Sequence, residues 1–419
     1  YLYRGKWRRM EMERDTIRVK GRSEPVAVTL KYTVHGPVIH EDLKRHRAYA
    51  LRWVGAEPGG AGYLAALSLA RARNWKEFLA AVERYHVPSE NIVYADVDGN
   101  IGWQAAGLTP VRRNWSGLLP VPGDTGEFEW SGFLRAEQQP RAFNPPAHYI
   151  ATANHNILPP GWKPPLSYEW SLPFRYERIR EMLSGGGKFT VADFQRMQQD
   201  VTSLPARRFQ AVLRRWKAPP RAAEAVEELL RWDARLTMDS RAALIYEVWT
   251  SRLPVAVFGK QLGPKVNLGM VLKTLEAEPH EKALAESLEA ALKEIEKQLG
   301  GDRSAWNWAA LHRIHFRHPL NVPAFDRGPL ARPGDGNTVN STSGAAFVQT
   351  NGASYRQIVD LGDWDKSVMT NVPGESGDPP SKHYDDLIKE WAEGRYHPML
   401  FSRKAVEGAV VERIELTPR

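Results

Sequence analysis

The hydrophobic pattern of the chain changes period twice. In "HEKALAESLEAALKEIEKQL" (280–299), Leu284, Leu288, Leu292, Ile295 and Leu299 fall on one helical face, with Glu and Lys opposite. Gly300-Gly301 follows as a stop signal. "RYERIREML" (175–183), "VADFQRMQQDV" (191–201), "RAAEAVEELLRWDARL" (221–236) and "SRAALIYEVWTSRL" (240–253) carry the same period, so residues 175–300 read as helical. The first 110 residues read mostly as strands. "DTIRVKG" (15–21), "PVAVTLKYTVHGPVI" (25–39) and "RAYALRWVG" (47–55) are β-rich runs separated by turn residues. One helix interrupts them, "NWKEFLAAVERY" (74–85), with Phe78, Leu79, Val82 and Tyr85 on one side. "NIVYADVDGNIGWQAAG" (91–107) predicts a hairpin turning at Asp98-Gly99.

Residues 111–175 are rich in Pro, Gly and Trp and predict loops joined by short strands, of which "HYIATANHNI" (148–157) is the most strand-like. After residue 303 strands return, such as "AAFVQT" (345–350) and "SYRQIVDL" (354–361). Strands, then helices, then strands predict an α+β fold with helices folded over antiparallel sheets. A chain of 419 residues is ample for a large core, as one big domain or two medium ones. Fifteen tryptophans favour an aromatic-rich interior or a substrate-lined cleft.

Charge narrows the function less than it first suggests. The net charge is +8, but 57 basic residues are interspersed with 49 acidic ones and form no long basic block. A nucleic-acid partner is therefore not predicted. No stretch approaches the roughly 18 continuous apolar residues of a membrane span, so no membrane partner is predicted either. The absence of cysteine removes disulfides, thiolate metal sites and cysteine nucleophiles. It does not choose a compartment. Tyr1 is not an initiating Met, and "TIRVK" already reads as a strand at 16–20, so the chain is expected to be a fragment or a processed piece.

Four groups of residues invite chemistry. "DVDGN" (96–100) starts like a calcium loop, but Gly99 is at the fourth position and Gly107 at the twelfth, so a hairpin turn is favoured. His312, His315 and His318 are spaced so that two of them could share a face as metal ligands. The expected third ligand and a supporting carboxylate are not evident nearby, and a packed Trp/His/Pro region is favoured. "GESGD" around Ser376 departs from the nucleophile-elbow pattern at Asp378. His383 lies only seven residues on, closer than triad members usually come, so a turn is favoured there too. "ATANHN" (151–156) offers Asn154 either as an uncharged, rigid oxyanion donor or as a turn cap.

Ten phrases, in order along nearly the whole chain, resemble the large β-subunit of the penicillin acylase (penicillin amidase) family of N-terminal-nucleophile hydrolases. They include "HGPVI" (35–39), "YADVDGNIGWQAAG" (94–107), "PGDTGEFEWSGFL" (122–134) and "NPPAHYIATAN" (144–154). "FRYERIREML" (174–183), "MQQDVTS" (197–203), "DSRAALIYEVW" (239–249) and "NTVN" (337–340) follow. "GASYRQIVDLGDWDKS" (352–367) and "GESGDPPSKHYDDLIKEWAEGRY" (374–396) complete the series. The resemblance implies a four-layer αββα sandwich of antiparallel sheets, one domain over 1–419 incomplete at its N-terminus, with an added helical segment at 184–300. It implies an amidohydrolase that cleaves a linear amide, such as a β-lactam side chain or an N-acyl-homoserine lactone. The nucleophile would be an N-terminal Ser, with its own α-amine, titrating at roughly 8, as base.

That Ser is not in this chain, which begins at Tyr1. The fragment alone is thus expected to be inactive, with the α-chain and the preceding part of the β-chain as partners and a small-molecule amide as substrate. Family members are periplasmic or secreted. The family's oxyanion-stabilising asparagine falls on Asn154 and its supporting arginine on Arg175, with Arg178 as a nearby competitor. No cofactor is implied for the chemistry. A structural calcium ion belongs to the complete enzyme, and in 155–174 Glu169 is the sole, ill-fitting carboxylate. Two rivals stand against the acylase: a non-catalytic basic binding protein on the same scaffold, and a serine hydrolase using Ser376 and His383.

Overall fold

The computed structural model describes residues 1–60, 62–163, 166–278 and 280–417. They divide into two compact units, Tyr1–Ile150 with Ile157–Glu169, and Ala151–Asn156 with Trp170–Arg419. The architecture mixes helices with small antiparallel sheets, as the change of hydrophobic period predicts.

In the first unit, Glu11–Ile17, Val26–Thr33, Gly36–Asp42 and Arg47–Ala50 form an antiparallel four-stranded meander in chain order. A second sheet puts Ile101–Ala106 between Glu90–Ala95 and Arg141–Phe143. Its hairpin turns where expected, with Gly99 at φ +85°. The Asp96 carboxylate accepts the backbone N–H groups of Asp98 (3.0 Å) and Asn100 (2.9 Å), so it is consumed in holding the turn. The helix Trp75–Val82 starts at Asn74, whose side chain accepts from Glu77 N. Phe78 and Val82 bury against Tyr94 and Ala106 of this sheet.

The second unit holds the principal core. Its longer helices are Phe174–Leu183, Val191–Gln198, Leu204–Leu213, Pro220–Arg231, Arg241–Thr250, Leu253–Leu262, Leu268–Ala277 and Glu281–Leu299. Leu284, Leu288 and Ile295 of the last are completely buried, as its periodicity predicts, and Gly300 ends it at φ +83°. They pack with Leu244 and Trp249 of Arg241–Thr250, a helix buried on nearly every side. Ser203, Ser240 and Asn267 each cap a helix by accepting a backbone N–H three residues on. Beyond the helices, Arg313–Phe316 pairs with Arg327–Ala331, and Val368–Thr370 lies between Arg356–Ile358 and His397–Pro398.

Two strand expectations fail. Residues 148–157 form no strand; they have no ladder partner among the described residues, and His148 and Asn154 adopt positive φ (57° and 59°). Residues 345–350 open in a turn, with Ala346 and Phe347 at φ +49° and +66°, and only then does Gln349 bridge Ile314. A β-rich composition produces a strand only where another backbone offers a hydrogen-bonding edge.

Candidate active site

Asn154 and Arg175 lie 21 residues apart in sequence and meet in the second unit. Arg175 occupies the first turn of Phe174–Leu183, and its Nη2 donates to Asn154 Oδ1 at 2.9 Å. Asparagine tolerates the left-handed backbone that Asn154 adopts better than most residues do. The conformation is secured from both sides. The Asn154 carbonyl accepts from Ser171 N at 2.8 Å. The next residue, His155, stacks on Tyr176, the neighbour of Arg175, with ring centroids 3.5 Å apart and planes 9° from parallel.

This contact sets the direction of the carboxamide. A guanidinium has donors only, so the oxygen of Asn154 must face Arg175 and the Nδ2 hydrogens must face away from it. Burial pulls the Arg175 pKa below its usual value, and the group still stays cationic. Arg178 is committed elsewhere. Its fork grips Asp200 through Nε–Oδ1 and Nη2–Oδ2, both 2.9 Å, and its Nη1 lies 3.0 Å from Glu181. The hydrogen bonds that Arg178 donates to Asp200 are the main reason its pKa is raised. Of the two candidate arginines, Arg175 is the one at the asparagine.

The other candidates resolve into scaffold geometry. Ser376 N donates to the His383 carbonyl at 3.0 Å, and Ser376 Oγ accepts from Asp378 N at 3.1 Å. The exposed His383 ring pairs with Asp386 through Nδ1 at 2.7 Å. These contacts close the loop before Ile388–Ala392, and none joins the serine hydroxyl to the imidazole. His312 is buried with both nitrogens engaged, Nδ1 with the Phe347 carbonyl (2.7 Å) and Nε2 with Thr342 Oγ1 (2.9 Å). It stacks on Trp308 at 4.6 Å, as a packed region requires.

Glu169 lines a cavity of about 360 Å³ in the first unit, together with Arg112, Trp115, Leu118 and Tyr168. Calcium takes six to eight oxygens, and one carboxylate sharing its cavity with a guanidinium does not fit that donor set. The supporting contacts Ser171–Asn154 and His155–Tyr176 lie outside what sequence reasoning singled out. Their one sequence signal is that each ring follows directly after a candidate residue.

The family model for penicillin amidase matches residues 1–408. The acyl-homoserine lactone acylase QuiP of Pseudomonas fluorescens (strain Pf0-1) is 30% identical over 476 aligned residues, covering 100% of this chain and 57% of that protein. The penicillin acylase 2 proenzyme of Pseudomonas sp. (strain SE83) is also 30% identical, covering 97% and 56% respectively. This chain thus spans about half the length of the curated relatives it matches. The structure of a thermostable penicillin G acylase from Alcaligenes faecalis has the same fold, with a TM-score of 0.75 and 22% identity over 100% of this chain and 83% of that one. On the family match and its collinear relatives, the chain belongs to the penicillin amidase family.

Proposed function

We propose that this chain forms the oxyanion-binding part of an acylase that hydrolyses a linear amide into a carboxylic acid and an amine. The observation that carries the reading is the 2.9 Å hydrogen bond from Arg175 to Asn154, which turns the Asn154 N–H donors outward. The attacking hydroxyl comes from an N-terminal serine of the complete enzyme, outside this chain, and the serine's α-amine, acting through water, takes the hydroxyl proton. As the carbonyl becomes tetrahedral, its oxygen gains negative charge. Asn154 Nδ2 donates to that oxygen, and the Arg175 cation behind the carboxamide polarises the N–H bond toward it. Collapse breaks the C–N bond; the amine leaves with a proton from the α-ammonium, and water then cleaves the acyl-serine ester.

The substrate is an acylated amine, of the kind named in both relatives: an N-acyl-homoserine lactone or a penicillin. The α-chain of the processed enzyme and the preceding part of the β-chain complete the acyl pocket. The chemistry requires no cofactor. The test is made in the full-length enzyme. Asn154→Ala lowers turnover of the preferred amide roughly a hundredfold while folding is retained. An unchanged rate would overturn the role of Asn154. Ser376→Ala, in the same assay, leaves turnover intact; its loss would move the nucleophile to the C-terminal loop.

A further inference from the structure

Far along the chain from Asn154, two arginines are buried without a counter-charge. Arg332 is 1% exposed and Arg356 5%, yet no carboxylate lies within ion-pair distance of either among the described residues. Each guanidinium has one carbonyl partner. Arg332 Nη1 donates to the Ala392 carbonyl at 2.7 Å, and Arg356 Nη2 to the Asn340 carbonyl at 3.1 Å. Both face Trp391, at 4.0 Å and 5.8 Å from the ring centroid. Burial, and then the Arg356 charge, pull the Arg332 pKa down to about 10. Burial lowers the Arg356 pKa too, and a guanidinium is the side chain least able to lose its proton.

Three buried polar atoms here have no partner: Arg332 Nε, Arg356 Nη1 and Thr370 Oγ1. Arg356 and Thr370 sit directly opposite each other on neighbouring strands, so their side chains leave the same face of the sheet. Buried donors are nearly always satisfied, and buried charges are nearly always paired. A tryptophan face attracts cations, but it cannot receive the unpaired N–H and O–H groups. Tyr396 is no counter-charge, because burial raises its pKa and its hydroxyl bonds Gln198 at 2.7 Å. Water would accept these hydrogen bonds without bringing charge, and side chains so fully covered leave no opening for a partner's carboxylate.

We propose that Arg332, Arg356 and Thr370 hold a small monovalent anion of halide size, chloride under ordinary conditions, as a structural ion. The ion accepts from Arg332 Nε, Arg356 Nη1 and the Thr370 hydroxyl, and it balances the two guanidiniums across Trp391. The site is independent of the acylase reading, since it shares no residue with Asn154 and Arg175.

The experiment uses the full-length protein, dialysed into sodium gluconate and titrated with sodium chloride or bromide at constant ionic strength. The melting temperature stays flat below the dissociation constant and then climbs with the logarithm of either halide's concentration, by roughly 2 °C over the titration. Thr370→Val, which keeps shape and removes one donor, moves the halide concentration at which that climb begins at least severalfold upward. Arg356→Met abolishes the halide response, and if it does not fold, Thr370→Val still decides. Crystals soaked in bromide show an anomalous peak within hydrogen-bonding reach of both guanidiniums. Equal stability in gluconate and halide, an unmoved onset in Thr370→Val, or no bromide peak at these residues would each overturn the proposal.

Discussion

Between residues 241 and 299, Leu244, Trp249, Leu284, Leu288 and Ile295 are shut completely away from water. Glu11–Ile17 is the opposite case: all seven residues are exposed, although each pairs with the neighbouring strand from Ile17–Val26 to Glu11–Tyr32. The helices hold together through side-chain packing, and the strand holds through its backbone ladder. The difference lies in what each element needs from its surroundings. A helix satisfies its own backbone and spends its side chains on a partner, whereas a strand must borrow a neighbour's backbone before its side chains can be covered. Mutational sensitivity should therefore concentrate in the helices.

Trp249→Ala is the strongest way to break that contrast. It empties a fully buried site and removes the 2.9 Å bond from Trp249 Nε1 to Ser287 Oγ. The expected loss is about 4 kcal/mol in urea unfolding, and a value near zero would mean the helical core is not what holds the unit.

Arg178→Met comes next, at about 3 kcal/mol, because it strands the buried Asp200 carboxylate. The same pair sets an acid limit. Burial alone would raise the Asp200 pKa, but the hydrogen bond and charge of Arg178 prevail and hold it below the usual range. A depressed carboxylate pKa contributes stability that is present above its unfolded value, roughly 3.9, and lost as pH falls through the folded one. The stability difference between the parent protein and Arg178→Met, read by urea unfolding at successive pH values, should thus shrink as pH falls, because acid neutralises Asp200 in both. A difference that does not change with pH would remove Asp200 from the account.

Gly300→Ala sharpens the comparison at a helix end. A Cβ there meets nothing within 4 Å, so the cost, about 1 kcal/mol, is the strain of φ +83° alone. Ile17→Ala, in the exposed strand, should change stability by less than about 0.5 kcal/mol. A larger loss in that variant would show that the outer strand is covered in solution.

Much of the secondary structure was legible along the chain. The apolar spacing from Leu284 to Leu299 declares a helix because its period is local and strong, and Gly300 is the natural stop. Asp98-Gly99 declares a turn because its backbone demand is local too. The stretch 148–157 misled because β-forming residues do not reveal whether an edge awaits them, and 345–350 because they do not reveal the left-handed turn at Ala346 and Phe347. At the site, Asn154 and Arg175 were recognised through motif resemblance. Their hydrogen bond, the stacking of His155 on Tyr176 and the capture of Arg178 by Asp200 join residues too distant for any periodicity to link.

By itself, then, the sequence determined the helical segment, the α+β composition and the order of motifs that places the chain in its family. Each of these rests on interactions between residues a few positions apart, or on phrases preserved as strings. Only the tertiary structure decided which arginine meets Asn154, that Ser376 and His383 close a loop, and that Arg332 and Arg356 lie buried together. Those outcomes depend on desolvation and on donor geometry, which exist only once distant segments have excluded water from one another.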